Sequence, residues 1–204
     1  MNEGGALFPT LDRLFTGPRE SVLTIEEFLR GLDTRSYAFA VAALNIINVV
    51  PTGIPWLSTI TGVPMLLLIG QYFLGQTVPT LPDFVGRRGL PRGRLQDGLS
   101  RIAPWLRRIE RRIHPRSEAW VTGMPRKLLL TFWTIDVIVL ALPIPFDNFF
   151  PAVAILFFCL ALIEGDGVMA MLGWLFTAIT AVWTVFLLIV GQAVILKAFE
   201  FLFQ

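Results

Sequence analysis

Apolar residues along this chain fall into two halves with the same order of runs and breaks. Ser36–Val50 ("SYAFAVAALNIINVV") is an apolar run that stops at a Pro/Gly-rich stretch, "PTGIPWLSTITGVP" at 51–64. A second run, "MLLLIGQYFLG", then leads to Gln76. Leu128–Ala141 ("LLLTFWTIDVIVLA") likewise stops at "PIPFDNFFP", 143–151, and "VAILFFCLALI" then closes at "EGDG", 164–167. A helix over Ser36–Val50 rises roughly 22 Å, short of a hydrocarbon core of about 30 Å. Each half therefore predicts a proline-broken hairpin, re-entrant or only just spanning, and the pair predicts an internal repeat. Val168–Ile195 is almost free of charge and long enough to cross a bilayer with a tilt; Lys197 and Glu200 mark its end.

The flanking segments are polar or amphipathic. Residues 1–20 are mixed and punctuated by Gly and Pro, which predicts an extended strand of chain. Thr24 and Glu27 have capping-box spacing, and Ile25, Phe28, Leu29 and Leu32 share one helical face. Thr77–Lys127 is arginine-rich. Within it Leu95, Leu99, Ile102, Leu106, Ile109 and Ile113 recur at helical spacing, with Pro104 expected to start or kink a helix. The pattern predicts a basic amphipathic helix at a membrane surface, with Arg107, Arg108, Arg111 and Arg112 meeting anionic lipid head groups. By the positive-inside rule this segment is cytoplasmic.

Composition supports that class. Of 204 residues, 54% are hydrophobic and only 16% charged, against about 45–50% and about 25% in soluble domains. The fold class expected is an all-α integral membrane protein with one membrane domain over 1–204. Its parts are an N-terminal segment with an amphipathic helix (1–35), a first broken hairpin (36–76) and the basic segment (77–127). A second broken hairpin (128–166) and a C-terminal transmembrane helix (167–204) follow. The lone cysteine, Cys159, reads as a packing residue and the lone histidine is His114, so no metal site and no cofactor are expected. No nucleophile–base pair or phosphate loop is present, so no enzyme is expected, and a chain this apolar favours lipid over nucleic acid.

Non-helical backbone survives at membrane depth only against protein or a water-filled cavity. The breaks at Pro51, Pro55 and Pro64, and at Pro143, Pro145 and Pro151, are therefore expected to face each other. Asp147 and Asn148 would line the cleft between them, with Gln71 from the other hairpin, to contact a proton, cation or polar solute. Asp147 could instead cap a helix. Glu164 and Asp166 either extend a relay or mark a helix end turned by Gly165, with Asp166 capping the last helix. Asp136, alone in an apolar run, is expected to face inward, with no partner that can be named. Trp56 and Trp174 are expected at the interface.

Four stretches carry a family resemblance across residues 20–175: "LTIEEFLRGLDTRSYAF", "GVPMLLLIGQYFLGQTVPTLP", "IERRIHPR" and "LALPIPFDNFFPAVAILFFCLALIEGDG". Together they resemble the ExoD family. Thr80-Leu81-Pro82 departs from the family's usual Trp-Leu-Pro. The resemblance implies a multi-pass bacterial inner-membrane protein connected with exopolysaccharide production and tolerance of alkaline conditions. It brings no assigned activity. Two readings stay open: a transport-type homodimer, or a non-transporting scaffold of the polysaccharide export machinery.

Overall fold

The computed structural model describes residues 7–50, 56–110, 120–144 and 146–202. Pro51, Pro55, Pro145, Arg111 and Arg112 lie outside the described residues. Helix α1 (Leu7–Phe15) comes first. Strand β1 (Val22–Thr24) runs directly into α2 (Ile25–Leu32), a 3-10 turn (Asp33–Arg35) and α3 (Ser36–Val49). Helix α4 (Leu57–Phe73), a short α5 (Asp83–Gly86), strand β2 (Gly89–Pro91) and α6 (Arg92–Glu110) follow. The chain ends with α7 (Gly123–Ala141), α8 (Phe149–Glu164) and the long α9 (Gly167–Leu202). The fold is mostly helical. Within α9, Gly167–Ala193 is long and apolar enough, by length and composition, to cross a membrane.

Helices α3, α4, α7 and α8 form one apolar bundle. Its core includes Tyr37, Val41, Met65, Leu129, Trp133, Val137, Leu140, Ile155 and Phe158. Helix α3 packs on α8, α4 packs on α7, and α9 lies along α8 and touches α7. Asn45, near the end of α3, donates from Nδ2 to the Ala152 carbonyl at the start of α8, at 2.7 Å. Thr59, at the start of α4, donates to the Ala141 carbonyl at the end of α7, at 2.8 Å. These bonds place the α3–α4 and α7–α8 connections at the same end of the bundle. Two close glycine contacts set the helix spacing. A Cβ on Gly62 would stand 2.7 Å from the Ala141 Cβ, and one on Gly173 would stand 2.5 Å from the Phe158 ring.

The prolines play different parts from one another. Pro64 lies inside an unbroken α4, so it is no helix break. It removes one backbone donor, but Met65, Leu68 and Ile69 bury around it and carry the helix through. Pro151 is also no break: it is the third residue of α8, where backbone N–H groups lack intrahelical partners anyway. Pro143 does lie in the connection after α7 ends. Pro104 sits within a continuous α6 and neither starts nor interrupts it.

At the other end of the bundle a second cluster unites Leu11, Leu29, Leu32, Leu99 and Leu106, with Phe8, Leu14, Phe15 and Phe28 against it. Here two expectations are corrected. Residues 7–15 are helical rather than extended, because Phe8, Leu11, Leu14 and Phe15 form one apolar face that packs on α6. The protein is also not wholly α-helical, because β1 pairs antiparallel with β2, Leu23 opposite Leu90. The apolar stripe of α6 is partly used inside the protein: Leu99 and Leu106 are buried while Ile102 is exposed. The capping box at α2 is present, with Thr24 Oγ1 accepting from Glu27 N at 3.2 Å and Glu27 Oε2 accepting from Thr24 N at 3.0 Å. That backbone donor holds the exposed Glu27 carboxyl below the usual carboxylate range. The box is therefore complete at neutral pH and is lost as pH falls through that lowered value.

Gly173→Ala should destabilise the protein by about 1–3 kcal/mol, because the added methyl overpacks the α8–α9 contact. Gly191→Ala, where nothing lies within 4 Å, should leave stability unchanged or slightly raised. Thermal unfolding in detergent micelles checks both.

Candidate functional site

The α7–α8 connection is short and strained. Phe146 adopts φ +66°, a left-handed conformation that is uncommon for a bulky side chain. Three hydrogen bonds and one long helix hold it there. Ile144 N donates to the Leu142 carbonyl at 2.8 Å, and Asp147 N donates to the Ile144 carbonyl at 3.3 Å. Trp183 of α9 donates from Nε1 to the Phe146 carbonyl at 3.1 Å. The turn points an aromatic ring outward, Phe146 being 86% exposed, and an acid inward, Asp147 being 1% exposed. Trp56, just before α4, has the matching conformation at the other connection, φ +71°, and is 62% exposed.

Asp147 does not cap α8. The residue before that helix is Asn148, and it makes no side-chain cap bond. The Asp147 carboxylate instead meets α9: Thr184 Oγ1 lies 2.8 Å from Oδ2 and 3.0 Å from Oδ1. Asn148 is half-buried beside it, and its carbonyl accepts from Ala152 N at 3.1 Å. Asp136 has the same kind of partner. It is 0% exposed on α7, and Thr177 Oγ1 of α9 lies 2.5 Å from its Oδ2. Asp136 Oδ1 has no hydrogen-bond partner among the described residues. Thr177, Thr180 and Thr184 stand at i, i+3 and i+7, which puts three hydroxyls on one face of α9. Thr180 is buried and turns its hydroxyl back to the Phe176 carbonyl at 2.9 Å.

The other expected site residues lie elsewhere. Gln71 is not brought to Asp147. It sits near the far end of α4, where it clamps the backbone of Thr80, with Nε2 donating to the carbonyl at 3.1 Å and Oε1 accepting from N at 2.8 Å. Asp166 caps α9, its Oδ1 accepting from Val168 N at 2.8 Å. Glu164 is buried at the end of α8, where Gly165 turns the chain at φ +68°. Asp166 therefore takes the capping part foreseen for it, and the "EGDG" corner lies at the opposite end of the bundle from Asp147. Trp174 stacks edge-on against Trp120 at 5.3 Å. Among the described residues no group of His, Cys, Asp and Glu could hold a metal ion. The threonine face and Trp183 escaped the reading of the sequence, although the i, i+3, i+7 spacing was there to be found.

Thr184→Val should remove the only side-chain donor that the described residues offer to Asp147. A buried acceptor left without its donor costs about 1–3 kcal/mol, whereas Thr184→Ser should keep wild-type stability. Denaturation midpoints of the two variants compare them.

Comparison with known proteins adds a family. A sequence model described as "Exopolysaccharide synthesis, ExoD" matches residues 7–186. Protein ExoD of Rhizobium meliloti is 26% identical over 195 residues, covering 92% of this chain and 78% of that protein. An uncharacterized protein of Synechocystis sp. is 24% identical over 172 residues, covering 84% of this chain and 81% of its own length. No solved structure matches.

Proposed function

The chain belongs to the ExoD family, linked to exopolysaccharide synthesis, and from that premise we propose a membrane protein that handles a proton or small cation at the Asp147 turn. The observation that carries this reading is Asp147 itself. It is a buried carboxylate at a strained connection, facing a hydroxyl of α9 rather than a basic side chain. Ionisable groups inside a lipid-embedded bundle are rare and mark ion or proton paths by default. Strain beside such a group is likewise a common companion of function.

The placement in lipid rests on lengths and exposed surface. Helix α9 has 36 residues, or about 54 Å at 1.5 Å per residue. It passes the α7–α8 connection at Trp183 and Thr184 and then continues with Val185, Phe186, Leu188, Ile189 and Val190 exposed. An apolar helix bare on that side needs lipid around it, so the bilayer extends beyond the turns. The exposed Trp56 and Phe146 then sit in lipid, and the hairpins are re-entrant. The α3–α8 and α4–α7 pairings, each hydrogen-bonded across at the connection end of the bundle, are what a two-fold exchange of the hairpins would generate. That supports an internal repeat of parallel rather than inverted sense. The arginines of α6 lie at the opposite end, and by charge that end faces the cytoplasm of the inner membrane.

A second reading has its own observation. Helices α1 and α6 enclose a groove of about 850 Å³ lined by Phe8, Phe15, Leu99, Arg107 and Arg108 among others. The Arg107 guanidinium sits 4.5 Å over the Phe8 ring. Such a surface suits a scaffold that meets anionic head groups or a partner of the export machinery, as a monomer or homodimer.

Proteoliposomes separate the readings. Wild-type protein should carry protons or monovalent cations down an imposed gradient, and Asp147→Asn should fall to the rate of empty vesicles. Arg107→Ala with Arg108→Ala should leave that flux intact. Equal flux from wild type, Asp147→Asn and empty vesicles removes the transport reading; exopolysaccharide lost only in the arginine variant then favours the scaffold.

A further inference from the structure

Asp136 lies deeper in the bundle than Asp147. From Thr184 back to Thr177 is seven residues, about 10 Å along α9, so the two acids are separate stations. Among the described residues its surroundings hold no cation. Helix α3 brings no charged side chain, and α4 brings none either; their titratable groups are Tyr37 and Tyr72 near the ends remote from the turns. Helix α8 brings the buried Cys159 and, at its far end, Glu164. Helix α9 brings nothing charged before Lys197, and α7 itself carries Arg126 and Lys127 nine or more residues away. An ionised carboxylate without a nearby cation is among the costliest groups to bury.

Hydrogen counting sharpens the point. Thr177 Oγ1 lies 2.5 Å from Asp136 Oδ2 and 3.0 Å from the Gly173 carbonyl, yet a hydroxyl carries one hydrogen. If that hydrogen goes to the Gly173 carbonyl, the short contact to Asp136 needs a second hydrogen, and only a protonated acid can supply it. A metal ion does not fit this place. Hard cations take about six or more oxygens, whereas the carboxyl, the Thr177 hydroxyl and a carbonyl already in a helix are what the described residues offer.

We propose that Asp136 is a proton-binding site in the bundle, its carboxylic acid donating to Thr177 Oγ1 while Thr177 donates to the Gly173 carbonyl. The step is a plain protonation: one proton is taken up on Oδ2, and on release the Thr177 hydrogen turns from the Gly173 carbonyl to the carboxylate. The inference rests on the reading of the bundle as embedded in lipid, and it adds a second acid to the one at the turn.

Infrared difference spectroscopy on the full chain in lipid tests it. The carbonyl stretch of a protonated carboxylic acid is separate from carboxylate bands. At neutral pH wild type should show such a band that is missing from Asp136→Asn. In Thr177→Val the band should stay but shift, because its acceptor is gone. Identical acid bands in wild type and Asp136→Asn would overturn the proposal. If Asp136→Asn fails to fold, an unshifted band in Thr177→Val overturns it equally. Flux without this band sinks the Asp136 site and spares the Asp147 reading; the band without flux does the reverse.

Discussion

The bundle rests on hydroxyl groups of one helix meeting carboxyl groups of another element inside an apolar interior. Helix α9 supplies Thr177 to Asp136 and Thr184 to Asp147, with Gly173 allowing the close approach to Phe158 that brings α9 onto α8. Polar groups in such an interior must find partners within the protein. The register of α9 is therefore fixed at two heights by chemistry as well as by packing. A helix held that way can support a strained connection, and Trp183 does so by binding the Phe146 carbonyl.

The same constraint links the two ends of the molecule. At the connections the chain exposes Trp56 and Phe146 and hides Asp147. At the remote end β1 and β2 tie the segment before the first hairpin to the segment after it, and α1, α2 and α6 pack around Leu29, Leu32, Leu99 and Leu106. Arg92 of α6 donates to the carbonyls of Leu14 and Thr16, and Gln96 donates to that of Phe15 at 2.8 Å, so α6 closes the C-terminal end of α1. The charged layer is thus a built platform joined to the bundle through α2 and α3.

Much of this was legible in the sequence. The short apolar runs on either side of the breaks read at 51–64 and 143–151 gave away two helical hairpins, although the helices resume earlier, at Leu57 and Phe149; Thr24 and Glu27 gave away the start of α2, and the charge-free tail gave away α9. Proline content overstated the breaks, because Pro64 and Pro151 differ from Pro143 only in their place along a helix, which the sequence does not reveal. Helix α1 was hidden by Pro9 and its glycine neighbours, although the spacing of Phe8, Leu11, Leu14 and Phe15 marked it. Three-residue strands far apart in sequence leave no alternation to detect. Gln71 was assigned to the wrong end because a polar residue in an apolar run says nothing of its height. Asp136 and Asp147 stood out as charges, but their threonine partners passed as ordinary packing residues.

Depth in the bilayer decides the placement proposed above, in which the hairpin connections sit in lipid and α9 continues past them. A nitroxide attached at Phe146→Cys, with the buried Cys159 left in place, reports its surroundings through relaxation by oxygen, which partitions into lipid, and by a water-soluble nickel chelate. Strong relaxation by oxygen and little by nickel are expected, with the same pattern at Val185→Cys. Strong relaxation by nickel at position 146 would put the connection in water and contradict it.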